Sequence, residues 1–182
     1  MTQPGLPTAV EPANTTAAVT PAEFKHAARR LASGMTIVTT RLGHSVHGAT
    51  VSAFATLSLE PMQVLVSLGR NGRLAAMLRD SSIFAVSILG AEQELVSRAF
   101  AVGRPTSEDV FPDVSTHILA TGAPVVDGAL ACVDCSIATT FDSGDHTIFA
   151  GNVEAVYADH GGLPLVYFNG SYGTVRFSDQ PT

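Results

Sequence analysis

The 182-residue sequence predicts a mainly β fold, an antiparallel barrel or sandwich with a few short helices. Two observations favour this class. About seven segments are β-branched or alternating, whereas only about three have helical spacing. Most strand segments are joined by short turns, the connection that antiparallel strands use. These connections argue against a doubly wound parallel sheet.

Length and composition limit the possible binding partners and the cellular location of the protein. No apolar stretch approaches the roughly 20 residues that a membrane-spanning helix needs. The segment 1–19 lacks the basic start and apolar block of a secretory signal, so we expect a cytoplasmic protein whose two cysteines are thiols. The formal net charge of −6 would repel a polyanion, so nucleic acid is not an expected partner.

The first element is a helix that follows an unstructured segment. Residues 1–19 are rich in Thr, Ala and Pro and predict a disordered tail, with one folded domain over 20–178. A capping box at Thr20 and Glu23, with Pro21 at the first helical position, marks the start of the helix. Phe24 and Leu31 belong to its apolar face, and Gly34 ends it.

The next elements are mostly strands. A hairpin spans 35–41 and 46 onward, and a further strand covers 62–68. Asn71-Gly72 precedes a short helix over 74–78, a buried strand follows at 83–89, and a helix covers 91–100. Residues 101–121 are irregular and suggest a lid or a dimer arm.

A long hairpin and two short strands complete the chain. Strands over 129–141 and 146–157 flank the turn 142–145, which carries the hairpin signal Ser-Gly-Asp. Closing strands are expected at 165–169 and 174–177.

The run 49–59 carries the first candidate site. Its odd positions are aliphatic, and the even positions Thr50, Ser52, Thr56 and Ser58 place hydroxyl groups on the other side. Such a row suits a planar ligand that has many carbonyl and ring-nitrogen acceptors. The alternative is an ordinary exposed face of a half-buried strand.

A second candidate follows at 67–73, where Arg70 and Arg73 flank the predicted helix start. Free N–H groups at a helix start and guanidinium groups both bind phosphate. The alternative is a solvated turn with incidental arginines, since the spacing is not that of a Walker loop.

The remaining histidines, the cysteines and the glycine motifs do not indicate a second type of reaction. His146 lies at the mouth of the long hairpin, where an imidazole is either functional or merely exposed. Cys132 and Cys135 have dithiol spacing but fall on opposite faces of a strand, and His44 and His47 lack ligand partners at metal spacing, so no metal site is expected. Neither a Gly-x-Ser-x-Gly elbow nor a Gly-x-Gly-x-x-Gly turn occurs.

Three longer segments together resemble a known family. They are ASGMTIVTT at 32–40, GATVSAFATLSLEP at 48–61 and GDHTIFAGNV at 144–153. Shorter blocks at 83–89, 93–95, 122–125 and 164–168 agree in order and spacing. The region from about Phe24 to Val175 thereby resembles the short-chain flavin reductases of two-component monooxygenase systems.

This resemblance implies an FMN-binding split barrel that works as a homodimer. It also implies the roles of individual residues. The isoalloxazine ring and ribityl chain would contact Thr50, Val51, Ser52 and Ala53. The flavin phosphate would lie among Ser67, Arg70, Asn71 and Arg73. His146 would stand beside the nicotinamide, and Tyr172 near the edge of the cofactor.

The implied reaction is hydride transfer from NADH or NADPH to FMN or FAD, with the reduced flavin passed to a partner monooxygenase. Such chemistry belongs to the two rings, so the protein must hold them together and needs no nucleophile. We expect His146 to orient a ring. Two alternatives remain at this point: a non-catalytic flavin-binding or electron-shuttling module, and an FMN enzyme like pyridoxamine-phosphate oxidase.

Overall fold

The computed structural model describes residues 18–101, 104–106, 111, 113–159 and 161–178. Most of the predicted tail, residues 1–17, lies outside these ranges. The helices within them are α1 (Pro21–Ala28), α2 (Arg73–Ser81) and α3 (Glu94–Phe100), with a 3₁₀ turn (Ala91–Gln93) before α3. The strands are β1 (Ser33–Gly34), β2 (Thr36–Leu42), β3 (Ser45–Val51), β4 (Phe54–Leu59), β5 (Met62–Gly69), β6 (Ile83–Ile88), β7 (Arg104–Thr106), β8 (Thr116–Ile118), β9 (Pro124–Val126), β10 (Ala131–Ser143), β11 (His146–Ala158), β12 (Val166–Phe168) and β13 (Ser171–Gly173).

Eight strands form one antiparallel sheet in the order β4-β5-β11-β10-β6-β2-β3-β7. A single stretch of chain supplies the first and the seventh strands of this order, because only Ser52 and Ala53 separate β3 from β4. β3 pairs with β2, whereas β4 pairs with β5. The Ser67 amide donates to the Ala53 carbonyl oxygen across the join, at 2.9 Å. The sheet therefore curls and brings β3 close to β5 beside this bend, as expected for the predicted split barrel.

The main core fills the inside of the curled sheet. Val38, Val66, Phe84 and Phe149 are fully buried there, and α2 covers the cluster with Leu74 and Leu78. Gly151 makes room for this packing, since a Cβ on it would lie 2.6 Å from the Phe84 ring. A second cluster, to which α3 contributes Phe100, contains the buried residues Ile37, Val46, Leu89, Phe100 and Leu165.

Most predicted elements are confirmed. The capping box at Thr20 is present, with the Glu23 amide donating to the Thr20 hydroxyl oxygen. The apolar face of α1, however, does not pack on this chain: Phe24 is 68% exposed and Leu31, beyond the helix end, 73%. The long hairpin turns over only two residues, Gly144 and Asp145, as the positive φ of Gly144 permits.

The expectation of one alternating strand over 49–59 is wrong. The chain bends at Ser52-Ala53, so the alternation does not continue across the bend. In β4 the aliphatic residues are exposed, with Leu57 at 49% and Leu59 at 85%, because no other described element covers this end of the sheet. The alternation of residue types correctly identified an extended chain, but it did not show that the aliphatic residues after the bend are exposed.

Two other predictions are corrected. The region 101–121 is not wholly irregular, because β7 pairs with β3 and β8 pairs with β9. The closing strand predicted at 165–169 is β12, but the second closing strand is β13 and not 174–177. Asn169 and Gly170 both have positive φ and form the hairpin turn between them, a signal that the sequence carried as Asn-Gly.

Cys132 and Cys135 are both buried thiols, and they belong to different core clusters. Burial is the main cause that raises the pKa of Cys135 to about 12. This placement confirms that they do not form a dithiol pair. Among the described residues, no helix combines the length and hydropathy required to span a bilayer.

Candidate functional site

A pocket of about 550 Å³ opens where the Ser52-Ala53 bend, the end of β5 and the start of α2 meet. Its volume lies within the range of about 300–1,000 Å³ that is usual for small-molecule sites. The hydroxyl-bearing run and the arginine-flanked turn, which are separate in sequence, thus converge on one cavity. Seven of the ten predicted site residues line it, namely Thr50, Val51, Ser52, Ala53, Ser67, Arg73 and His146.

The other three predicted residues lie nearby. Arg70 and Asn71 are not among the lining residues; the Arg70 amide instead donates to the Asp145 carbonyl oxygen at 2.8 Å. This bond ties the turn before α2 to the tip of the long hairpin. Tyr172 lines a neighbouring pocket, which shares Thr50 and Ser52 with the first.

Hydrogen bonds from side chains and from the backbone hold the bend on both sides. The Thr36 hydroxyl donates to the Val51 carbonyl oxygen at 2.6 Å, and the Ala53 carbonyl oxygen accepts from Ser67. The Thr50 hydroxyl donates to the Ser97 carbonyl oxygen at 2.5 Å. The proton of that hydroxyl is therefore directed at α3, and Thr50 offers a ligand its oxygen lone pairs only. Ser52 is exposed at the bend.

The opposite end of the pocket suits an anion. α2 begins at Arg73, and its N-cap, Gly72, makes no side-chain capping bond. The first N–H groups of the helix are therefore available to a ligand, and the helix dipole favours negative charge there. The exposed Arg73 side chain adds a positive charge. A tight turn precedes this end, with the Gly72 amide donating to Gly69 at 2.9 Å.

His146 is the first residue of β11, and its Cα lies opposite that of Gly69 in β5. Its ring is half exposed, and Nδ1 lies 2.7 Å from Oδ1 of Asp145. This hydrogen bond is the main cause that lowers the pKa of Asp145. Because Asp145 engages Nδ1, Nε2 is the ring nitrogen that a ligand in the pocket can meet.

A polar network anchors the strand that carries His146. Arg79 of α2 donates to the Thr147 hydroxyl oxygen at 2.7 Å and lies over the Phe149 ring, 5.6 Å from its centroid. The Thr147 hydroxyl donates to Asp142, which is the main cause that lowers the pKa of that carboxyl group. The hairpin tip is thereby fixed to α2, the helix that forms the anion end of the pocket.

The sequence analysis missed several lining residues. The buried side chain of His47 lines the pocket, although it had been considered only as a metal ligand. It shares a face with Ala49 and Val51 at period two, a signal that could have placed it there. The others are small or apolar wall residues whose role depends on tertiary packing: Ala49, Leu68, Gly69, Gly72, Leu74 and Ala75.

The donor set fits a ligand that joins a polar planar ring to a phosphate. The bend supplies backbone and hydroxyl groups, and α2 supplies N–H groups and a guanidinium. This is the combination that FMN, or the FMN half of FAD, requires.

Comparisons with known proteins match the chain to flavin reductases. The family model described as "Flavin reductase like domain" matches residues 28–176. An NADH-dependent flavin reductase of Rhodococcus sp is 36% identical over 168 residues, which cover 90% of this chain and 92% of the relative. The reductase component of 4-hydroxyphenylacetate 3-monooxygenase from Thermus thermophilus is 40% identical over 149 residues, covering 82% and 93%.

Solved structures are also similar. The flavin reductase of styrene monooxygenase from Pseudomonas putida has a TM-score of 0.75 and 32% identity, covering 85% of this chain and 97% of that one. An NADH:FAD oxidoreductase from Streptomyces globisporus, solved with NAD and FAD fragments, has a TM-score of 0.78 and 28% identity. Its match covers 92% of this chain and 100% of that one.

Proposed function

The chain belongs to the family of flavin reductase-like domains, and on this premise we propose that its pocket holds a flavin beside a reduced nicotinamide nucleotide. The reaction is hydride transfer from NADH to FMN or FAD. One observation carries the assignment: the hydroxyl-bearing bend, the uncapped start of α2 and His146 line a single cavity. Bound flavin supplies the ring that accepts the hydride at N5.

The chain's own residues bind and orient. The segment from Thr50 to Ala53 holds the isoalloxazine ring and the ribityl chain, because the bend presents backbone groups and hydroxyl oxygens to the pocket. Arg73 and the first N–H groups of α2 bind the phosphate, with Ser67 beside them. Arg70 and Asn71 complete the phosphate surroundings if the turn before α2 closes on the ligand, and Tyr172 stands at the cofactor edge.

His146 orients the nicotinamide. Asp145 holds its Nδ1, which leaves Nε2 to donate or accept a hydrogen bond toward a carboxamide. Hydride transfer itself needs no protein acid or base, so the imidazole acts by restricting the position of the ring.

The reduced flavin then serves a partner monooxygenase. Relatives named as reductase components of monooxygenases support this role. A cytoplasmic location and the division into a tail (1–19) and one domain (20–178) stay predictions.

A homodimer is the assembly we propose. An apolar groove of about 470 Å³, lined by Leu31, Phe54, Ala55 and Leu65 among others, shares Ser52 and Ala53 with the flavin pocket. None of the residues of α1 is buried. A second copy of the chain would cover these surfaces and complete the wall of the site.

An assay of purified protein tests the function. NADH oxidation is followed at 340 nm with FMN, with FAD and without added flavin. We expect steady oxidation that depends on added flavin. A protein that binds flavin but leaves NADH unoxidised would be a flavin-binding module instead, and amine oxidation without NADH would indicate an oxidase.

Light scattering after gel filtration tests the assembly. We expect twice the chain mass of 18.9 kDa. Phe24→Asp and Leu31→Asp should each shift the mass toward one chain, since both side chains are exposed here and lie on the surfaces that a second copy would cover. Leu95→Asp, at an 80% exposed position on α3, is the control. A wild-type mass of one chain would contradict the dimer.

A further inference from the structure

We propose that Arg79 is a positioning residue for the nicotinamide, because it holds the tip of the long hairpin, and with it His146, against α2. We define the hairpin tip as residues 142–147. Arg79 is not among the residues that line the flavin pocket, so its effect must pass through His146. The inference rests on the proposed function, in which His146 orients the nicotinamide, and it adds the residue that sets the position of His146.

The hairpin tip extends beyond its neighbours in the sheet. β10 runs to Ser143, but among the described residues its pairing with β6 ends at Ser136. The Ile137 amide donates to the Ser82 carbonyl oxygen at 2.8 Å, and residues 139–143 after it are exposed. Within the sheet this outer part of β10 pairs with β11 alone. The tip therefore depends on side-chain contacts to keep its position.

Arg79 supplies such contacts from the last turn of α2. Its Nη2 donates to the Thr147 hydroxyl oxygen at 2.7 Å and lies 3.4 Å from Oδ1 of Asp142. Thr147 is fully buried, and its hydroxyl donates to the same carboxylate. Asp142 belongs to β10 and Thr147 to β11, so one guanidinium holds both strands of the hairpin.

These contacts act on His146 because it directly precedes Thr147 in the chain. The backbone on the other side is already tied, since the Arg70 amide donates to the Asp145 carbonyl oxygen. The Arg79 guanidinium lies 5.6 Å from the centroid of the fully buried Phe149 ring, so it rests on the core. A cation between the core and the tip has few alternative positions. Arg79 therefore restricts the imidazole to one place, as the alignment of two reacting rings requires.

Hydrogen exchange of the flavin-free protein tests the anchor. Arg79→Met keeps an apolar stem and removes the guanidinium. It should speed exchange of the hairpin-tip amides by up to about tenfold, the factor for one charge-assisted hydrogen bond, and leave the β6 amides unchanged. Arg79→Lys should restore part of the protection. Arg30→Met, at an exposed position of the turn after α1, is the matched control and should change neither set. Unchanged exchange at the tip would overturn the anchor.

A double-mutant cycle with His146 tests the positioning. Arg79→Met should raise the KM for NADH by up to about tenfold, whereas kcat and the dissociation constant of FMN stay within about twofold. His146→Ala removes the ring through which Arg79 acts, so adding Arg79→Met to it should cause no further rise. Effects that multiply in the double variant would overturn the positioning role, as would faster exchange at the tip with an unchanged KM.

Two further measurements keep the result interpretable. Asp142→Asn preserves the size of the side chain, and it should give the same pattern at smaller magnitude if Arg79→Met does not fold. An Asp142→Asn protein with unchanged exchange and KM would then overturn the proposal. Wild-type protein that fails to oxidise NADH with added flavin would instead refute the proposed function, while the exchange measurement would still report on the anchor.

Discussion

Replacing Arg73 by alanine tests the phosphate end of the pocket. Arg73 is the first residue of α2 and lines the cavity beside helix N–H groups that no side chain caps. A hydrogen bond to a charged group contributes about 1.5–3 kcal/mol. Because Arg73 is exposed, solvent screens its charge and the lower value applies. At about 1.4 kcal/mol per factor of ten, FMN affinity should fall about tenfold.

The assay compares FMN with riboflavin, which has the same ring and no phosphate. Quenching of flavin fluorescence gives the dissociation constant of each for wild type and Arg73→Ala. We expect FMN to weaken and riboflavin to stay within about twofold, less than the 1 kcal/mol scale of a single neutral hydrogen bond. Arg30→Ala controls for net charge. Equal weakening of both ligands, or of neither, would refute the placement of the phosphate at α2.

Three other predictions follow from the described contacts. His146→Ala should raise the apparent KM for NADH and largely spare kcat; a collapse of kcat at unchanged binding would contradict the orienting role. The unfolding free energy should fall as pH rises from about 9 to about 12, because the Cys135 thiol loses its proton at lower pH in the unfolded chain than in the folded one. Cys135→Ala should reduce this fall in denaturant titrations. The same dependence of unfolding free energy on pH in wild type and variant would refute the role of Cys135. Gly151→Ala should destabilise by about 1–3 kcal/mol through its clash with Phe84, whereas Gly161→Ala, into open space, should change stability by less than about 0.5; equal effects would contradict the packing.

Sequence patterns predicted those helices and strands whose signal lies within the element itself. The capping box located the start of α1 at Pro21, and the alternating residues of β10 and β11 identified the longest strands. The convergence of the 49–53 segment with the turn before α2 was expected from family resemblance. Periodicity alone carries no information about which strands meet across the barrel.

The errors arose where the tertiary structure changes the face to which an alternating run of residues points. Alternation ran unbroken through Ser52-Ala53 in sequence, but the strand changes partners there, so the faces of β4 differ from those of β3. His47 was missed although it shares a face of β3 with Val51, because it and His44 were considered only as metal ligands. Arg98 and Tyr172 are far apart in sequence, and only the packing of α3 on β13 brings them together.

Ser52 and Ala53 join two arms of the curled sheet and also line the cavity, so ligand binding and the stability of the fold are thermodynamically linked. Ligand at about a hundred times its dissociation constant would add about 2.7 kcal/mol to the unfolding free energy. A reductase that releases reduced flavin to another enzyme loses this contribution to its unfolding free energy each time the flavin dissociates. Tighter binding would stabilise the fold further but slow the release of flavin. The flavin affinity of such a protein is therefore a compromise between stability and the rate of release.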